Sequence, residues 1–303
     1  GPVVEIDGFK YGQASLIACA TGHPEQAFGK LYSVVPSGQR VPRLPAPPYH
    51  FMSRIASITE GPGGMKAGVT VESDYDLPAD AWYFAAHPSG RMPIAVLVEV
   101  ALQPCGWLAS YVGCAVNEPG EVFFRNLDGK GTIHRPVVAS DGTVRVKAKL
   151  TSLSKAGGMT LVSFVVQCTV RGEPVYDLTT TFGFFPGAAL EGQAGLPAED
   201  DERALAARVG GADLLASLDA AGRAALPAEQ LRMCERVTVR ETDADGRTHL
   251  LGEKTVRPSE WFFKAHFYRD PVQPGSLGVE ALVQLVQAHL LLDGAASAIP
   301  DGA

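Results

Sequence analysis

Two stretches of this chain carry the same run of aromatic, polar and apolar positions. Residues 82–103 open with Trp82-Tyr83-Phe84-Ala85-Ala86-His87, and residues 261–284 open with Trp261-Phe262-Phe263-Lys264-Ala265-His266. Each continues to a proline and an apolar run: Met92-Pro93-Ile94-Ala95-Val96-Leu97-Val98-Glu99 in the first, Gln273-Pro274-Gly275-Ser276-Leu277-Gly278-Val279-Glu280 in the second. In both, a Glu falls six residues after the proline and a Gln four residues later, at Gln103 and Gln284. The pattern predicts, twice, an aromatic strand ending in His, a turn, and an apolar helix carrying one buried carboxylate. Such a duplication predicts two related half-domains that share a site.

The rest of the pattern fits that division. Residues 1–50 are punctuated by Pro and Gly, and Val41 to Pro48 must be extended because successive prolines forbid helix. This segment is expected to be an extended lead-in over a domain surface. Phe51–Ile58 and Gly68–Tyr75 read as strands, and Pro93 to about Gly113 as a helix that Pro104 kinks or divides. Strand patterns follow over Glu121–Leu127, Thr132–Val138, Thr143–Ser152, Met159–Arg171 and Val175–Phe185, separated by turns such as Ser140-Asp141-Gly142. Thr143–Leu150 alternates apolar Val144, Val146 and Ala148 with Arg145, Lys147 and Lys149, as a half-exposed antiparallel strand does. Residues 187–229 turn to Ala, Gly and acidic residues and read as a linker, with short helices over Ala204–Val209 and Leu214–Leu218. The second unit, 230–303, repeats the order of the first, 51–186, with strands over Val237–Thr242 and Leu250–Arg257.

A helix followed by a long antiparallel meander is the pattern of a sheet wrapped around a helix, the hot-dog fold. The fold class expected is therefore α+β, a double hot dog of two tandem antiparallel sheets, each around a central helix. The second unit is incomplete at its C-terminus: the first helix is followed by roughly 70 residues of strand pattern and the second by about ten. Pro274–Leu292 is apolar nearly all round, which implies burial on most sides. The covering strands, about 70 residues, are expected from a continuation beyond Ala303 or from another polypeptide. Gly1-Pro2 reads as a protease-cleavage scar.

Composition narrows the partners. The 303 residues are 46% hydrophobic, enough for a core, and the net charge is −7 with no basic patch, which argues against nucleic acid. The longest apolar run, Ile94–Leu102, is short and contains Glu99, so no membrane span is expected. No basic region followed by an apolar core opens the chain. The five cysteines are scattered, with no CxxC pair and no zinc-ligand spacing, as for reduced thiols in a cytoplasmic protein.

The segment His266-Phe267-Tyr268-Arg269-Asp270-Pro271-Val272-Gln273-Pro274-Gly275-Ser276-Leu277-Gly278-Val279-Glu280-Ala281 resembles the active-site segment of bacterial 3-hydroxyacyl-ACP dehydratases of the 3-hydroxydecanoyl type. Asp80–Phe84, Ala101–Tyr111 and Phe124-Arg125-Asn126-Leu127-Asp128-Gly129 resemble the dehydratase region of polyunsaturated fatty acid synthases. The likeness covers about residues 40–186 and 230–293. It implies removal of water from a 3-hydroxyacyl thioester carried on the phosphopantetheine of an acyl carrier protein, with no metal or redox cofactor. Other domains of a polyunsaturated fatty acid or polyketide-type synthase, and a second copy of the chain, are the further partners it suggests.

The chemistry matches the residue types. A base of pKa near 7 removes the C2 proton, which suits His. An acid expels the C3 hydroxyl, which suits a buried carboxyl. A Gly at a helix N-terminus offers N–H groups to the thioester oxygen. Carried over from the resemblance, His266 pairs with Glu99, Gln103 lies one turn on from Glu99, and Gly275 supplies the N–H. A mirror pair, His87 with Glu280, is weaker: its loop is two residues shorter and lacks the Asp-Pro and the Gly. Both helices carry Glu where the 3-hydroxydecanoyl type has Asp, so isomerisation stays open.

Blander roles compete for the same residues. A His ending a strand is commonly structural, and a carboxyl in a vestigial half-site only supports its neighbours. Cys105 reads as packing rather than a nucleophile. His23, His50, His134, His249 and His289 sit in no motif and read as surface or structural. Two other functions fit the fold: a hot-dog thioesterase using Glu99 or Glu280 as base, and a non-catalytic acyl-binding scaffold.

Overall fold

Short signals in the first fifty residues build more than an extended strap. In the computed structural model, which describes residues 1–116, 120–192, 197–207 and 211–294, strands β1 (Glu5–Ile6) and β2 (Phe9–Lys10) form a hairpin. Helices α1 (Gln13–Thr21) and α2 (Pro24–Phe28) follow. His23 starts α2: its ring accepts from Glu25 N–H while Gln26 accepts from His23 N–H, with Pro24 in the first turn. The expectation of an extended lead-in is corrected here. Tyr11, Leu16, Phe28, Tyr32 and Tyr49 are buried, so the segment is core.

The chain continues through β3 (Arg54–Ile58), β4 (Thr70–Asp76), α3 (Trp82–Ala86), α4 (Ile94–Tyr111), β5 (Val122–Ile133), β6 (Thr143–Ala156), β7 (Met159–Val170) and β8 (Glu173–Pro186). After these come α5 (Asp200–Ala206), α6 (Ala220–Ala224), β9 (Arg236–Thr242), β10 (Thr248–Glu253), α7 (Trp261–Ala265) and α8 (Gly275–Leu292). Three expectations change. The aromatic runs are five-residue helices, α3 and α7, not strands, because five residues hold too little periodicity to decide. Helix α4 is not divided at Pro104. The two strands expected between residues 121 and 138 are one, β5, bulged between Asn126 and Asp128. The helix expected over Ala204–Val209 lies partly outside the described residues.

The chain separates into two compact units that interleave along the sequence: residues 1–79, 96–192 and 259–274, and residues 80–95, 193–258 and 275–303. In the first, six antiparallel strands run in the order β3-β4-β6-β7-β8-β5. Strand alternation puts Val144, Val146, Ala148 and Leu150 inward and Arg145, Lys147 and Lys149 outward. The inner face meets α4, the hot-dog arrangement. Gly106 lets the helix approach closely, since a Cβ there would stand 3.2 Å from the Phe124 ring on β5. Trp107 on α4 stacks on Tyr111 at 4.9 Å and takes Tyr11 edge-on at 5.5 Å. Each such aromatic contact adds about 0.5–1.5 kcal/mol beyond its buried area.

In the second unit, β9 and β10 pair antiparallel, and α8 packs with them through Cys234, Val237, Ala288 and Leu291. Leu215 and Leu218, in the stretch expected as a linker, complete that cluster. Among the described residues the sheet here has two strands, where the large sheet of the first unit has six. Along the opposite side of α8, Val279, Leu282, Val286 and Leu290 are exposed. Both α4 and α8 are long and apolar enough, by length and composition, to cross a membrane. That corrects the expectation from run length, but 78% of α4 is buried in the first unit, as a core helix is.

The repeat is visible in atomic detail. Trp82–Tyr83 and Trp261–Phe262 each meet at 5.8 Å and 79°. Ala46 N–H donates to Ala265 O, and Ala228 N–H to Ala86 O, both at 2.8 Å. The repeat therefore begins upstream of the tryptophans, at Ala46 and Ala228. Each unit joins the long helix of one repeat to the aromatic–His segment of the other.

Candidate active site

Spacing of four on a helix puts Glu99 and Gln103 on one face of α4, and Glu280 and Gln284 on one face of α8. All four are buried. Gln103 uses both ends of its amide: Nε2 donates to Glu99 Oε2 at 3.2 Å and to Tyr49 O at 2.8 Å, and Oε1 accepts from Phe51 N–H at 2.7 Å. Gln284 does the same in its unit, donating to Glu280 Oε1 and Leu231 O at 2.8 Å and accepting from Met233 and Cys234 N–H. Gln103 thus pins a backbone segment to α4 while orienting the carboxylate. Changing Gln103 to Leu should remove its hydrogen bonds to Phe51 N–H, Tyr49 O and Glu99, at about 0.5–1.5 kcal/mol for each bond. The loss should appear as a lower midpoint in denaturant unfolding.

His266 follows α7, whose last turn it closes by donating its N–H to Phe262 O at 2.8 Å. Its Nδ1 lies 3.1 Å from Val272 O. A carbonyl can only accept, so Nδ1 carries the proton and Nε2 offers a lone pair. The ring lies deep among protein atoms yet keeps part of its surface open. Burial lowers its pKa below the ordinary imidazole value, the Glu99 carboxylate pushes it up, and Arg125 pushes it down. The imidazole is therefore neutral at neutral pH. His266 and Glu99 belong to the same unit.

His87 and Glu280 fall in the second unit. His87 turns to its own neighbour, Nδ1 meeting Ser89 Oγ at 2.7 Å. Burial raises the Glu280 pKa, against hydrogen bonds from Gln284 and the Ala95 backbone. Gly275 is the first residue of α8, and a Cβ there would meet nothing within 4 Å.

The remaining histidines have structural partners. His50 bridges Pro45 O and Met52 O, His134 meets Asp177, His249 meets Asp243, and His289 meets Arg240 and Asp293. All five cysteines are buried thiols outside any disulfide, and burial pushes the Cys105 thiol well up, away from nucleophilic use. Among the described residues, no group of three or more His, Cys, Asp or Glu could hold a metal ion. Sequence reasoning assigns no role to Arg125 and Asp270, although both lie in the stretches that carry the resemblance. It also misses the backbone at Tyr49 and Phe51, for which the Gln four residues after each Glu is the available signal.

Comparison with known proteins finds likenesses to parts of this chain. Residues 226–301 match the FabA-like domain. The chain is 32% identical over 245 residues to a polyunsaturated fatty acid synthase subunit of Thraustochytrium sp. (strain ATCC 26185 / S-3), covering 74% of this chain and 16% of that protein. The chain thus spans about a sixth of that relative's length. Among solved structures, the dehydratase heterocomplex ApeI:P from Xenorhabdus doucetiae aligns at 11% identity and a TM-score of 0.37, covering 48% of this chain and 88% of that one. A putative thioesterase, a phenylacetic acid degradation-related protein from Ralstonia eutropha JMP134, aligns at 19% identity and a TM-score of 0.29, covering 42% and 83%. Residues 226–301 are thus similar to the FabA-like domain, and the chain resembles a part of a polyunsaturated fatty acid synthase.

Proposed function

We propose that the chain dehydrates 3-hydroxyacyl thioesters to 2-trans-enoyl thioesters, working within a polyunsaturated fatty acid or polyketide-type synthase. The observation that carries this reading is a half-buried His266 with its proton fixed on Nδ1 by the Val272 carbonyl, in the same unit as Glu99. Nε2 of His266 takes the C2 proton. The C–H electron pair forms the C2–C3 double bond, and the C3–O bond breaks. The reacting state is the one in which Glu99 has taken up a proton; its carboxyl gives that proton to the departing hydroxyl, and water leaves. The proton held by His266 then returns to Glu99 for the next turnover. The acyl group arrives on the phosphopantetheine of an acyl carrier protein, in the cytoplasm, and the steps call for no metal or redox cofactor.

The reverse reaction is the direct test. Adding water to a crotonyl thioester removes its conjugated ultraviolet absorbance, and that loss is expected without release of free thiol. Thiol release without hydration would point to a thioesterase instead.

The pH profile follows from the same group. With the His266 pKa lowered by burial, the acid limb of kcat/KM should have its midpoint below about 6.5, the ordinary imidazole value. Stability changes with the same sign. His50 and His266 are both depressed in the folded chain, so as pH falls through about 6.5 the unfolded chain binds protons first and stability drops. Thermal melts at pH 7.5 and pH 5.5 should show it, and equal midpoints would contradict the burial of these rings.

A further inference from the structure

The His266 loop is fastened to the six-stranded sheet at one ionic point. Arg125, on β5, presents two guanidinium nitrogens to Asp270: Nη1 to Oδ2 at 2.7 Å and Nη2 to Oδ1 at 2.9 Å. The side chains are only 24% and 16% exposed. A bidentate pair fixes direction as well as distance. Arg125 is itself braced, with Nη1 donating to Phe124 O at 2.8 Å and the guanidinium 5.6 Å from the Phe123 ring centroid.

Asp270 sits inside a short ladder of loop hydrogen bonds. Phe267 N–H donates to Asp270 O at 2.9 Å, Asp270 N–H returns to Phe267 O at 3.1 Å, and Val272 N–H donates to His266 O at 2.9 Å. Two residues beyond Asp270, the Val272 carbonyl accepts from His266 Nδ1. A continuous path of named contacts therefore runs from β5 through Asp270 to the imidazole. The His87 loop is held differently: its imidazole leans on Ser89 Oγ, a rotatable hydroxyl two residues away.

We propose that Arg125 is a positioning residue for His266: through Asp270 it holds the Val272 carbonyl against Nδ1, so that Nε2 remains the proton acceptor. The inference rests on His266 acting as the base. Without the guanidinium, the Asp270 carboxylate is left shielded and unpaired. It turns towards water and draws Pro271 and Val272 with it. The imidazole then loses the acceptor that selects its tautomer.

The test uses the full chain with Arg125→Gln, Asp270→Asn, both together, and Arg125→Lys. Two readouts are taken: the His266 tautomer by nitrogen NMR of histidine-labelled protein, and kcat and KM for enoyl-thioester hydration. Each single substitution should convert His266 from the Nδ1–H form to a tautomer mixture. It should lower kcat ~10–100-fold, the scale of a misplaced catalytic group, with KM within about threefold. The double variant should be no worse than the worse single, because both break one link, and Arg125→Lys should lie between. If Arg125→Gln does not fold, the nearly isosteric Asp270→Asn gives the same reading. The proposal is overturned if the folded singles keep the Nδ1–H form with kcat within about twofold, or if their losses multiply in the double variant. Should the unsubstituted chain hydrate no thioester, the dehydratase reading fails, and the tautomer measurement still decides the clamp.

Discussion

Replacing His266 by Ala should lower thioester hydration by ~10²–10⁴-fold, the usual effect of losing a general base. One hydrogen bond decides the protonation. Val272 O fixes the proton on Nδ1, and burial keeps the ring neutral, so the unsubstituted chain presents a lone pair at Nε2 throughout neutral pH. Alanine removes that lone pair and leaves α7 intact, because the bond closing the last turn uses the His266 backbone. The fold should survive, with the Val272 carbonyl losing its donor and the Phe267 ring its contact with the imidazole at 3.7 Å. His266→Gln, which returns an N–H donor to that carbonyl, should restore stability and not rate. A folded His266→Ala chain with more than half the original kcat would remove His266 as the base.

Glu99→Gln should cost nearly as much, again ~10²–10⁴-fold, while Glu280→Gln should leave kcat within about threefold. The amide introduced by Glu99→Gln would still offer an oxygen to Gln103 Nε2. The clasp on Tyr49 and Phe51 therefore persists, and what disappears is the exchangeable proton. Glu280 differs in its surroundings. It lies in the unit that holds His87, whose Nδ1 is taken by Ser89, and burial raises its pKa towards the neutral form that an amide mimics. Steady-state rates for the two variants, measured side by side, check the ordering. Equal losses would mean that both carboxyls serve the reaction.

The repeat is legible because chemistry is spaced rigidly within it. A proline, a Glu six residues later and a Gln four beyond that is a helix-face signature, and both copies fold as one. The strands from residue 143 to 186 are legible for the same kind of reason, since alternation survives over a dozen residues. The aromatic runs mislead because Trp, Tyr and Phe favour strands in general, and a five-residue helix is decided by packing rather than propensity. Residues 1–50 and 187–229 mislead because their helices are short and interrupted by Pro and Gly. Yet Tyr11, Leu215 and Leu218 are buried. The ion pair between Arg125 and Asp270 spans 145 residues, and no local pattern announces a partner at that distance.

The interleaving of the two units sets the order in which the molecule can be finished during synthesis. Helix α4 and its sheet leave the ribosome early, but the segment 259–274 that belongs with them follows only after residues 193–258. It carries His266 and ties Arg269 to Gly38 across 231 residues. At about 5–20 residues per second, roughly ten to thirty seconds separate the emergence of Glu99 from that of His266. For that interval Ala46 N–H waits for Ala265 and Arg125 for Asp270, and closing contacts so distant in sequence is intrinsically slow. The nascent chain is therefore a ligand-like acceptor for its own late segment. A cut anywhere between residues 192 and 259 puts the base and the acid on different fragments, which only those late contacts can rejoin.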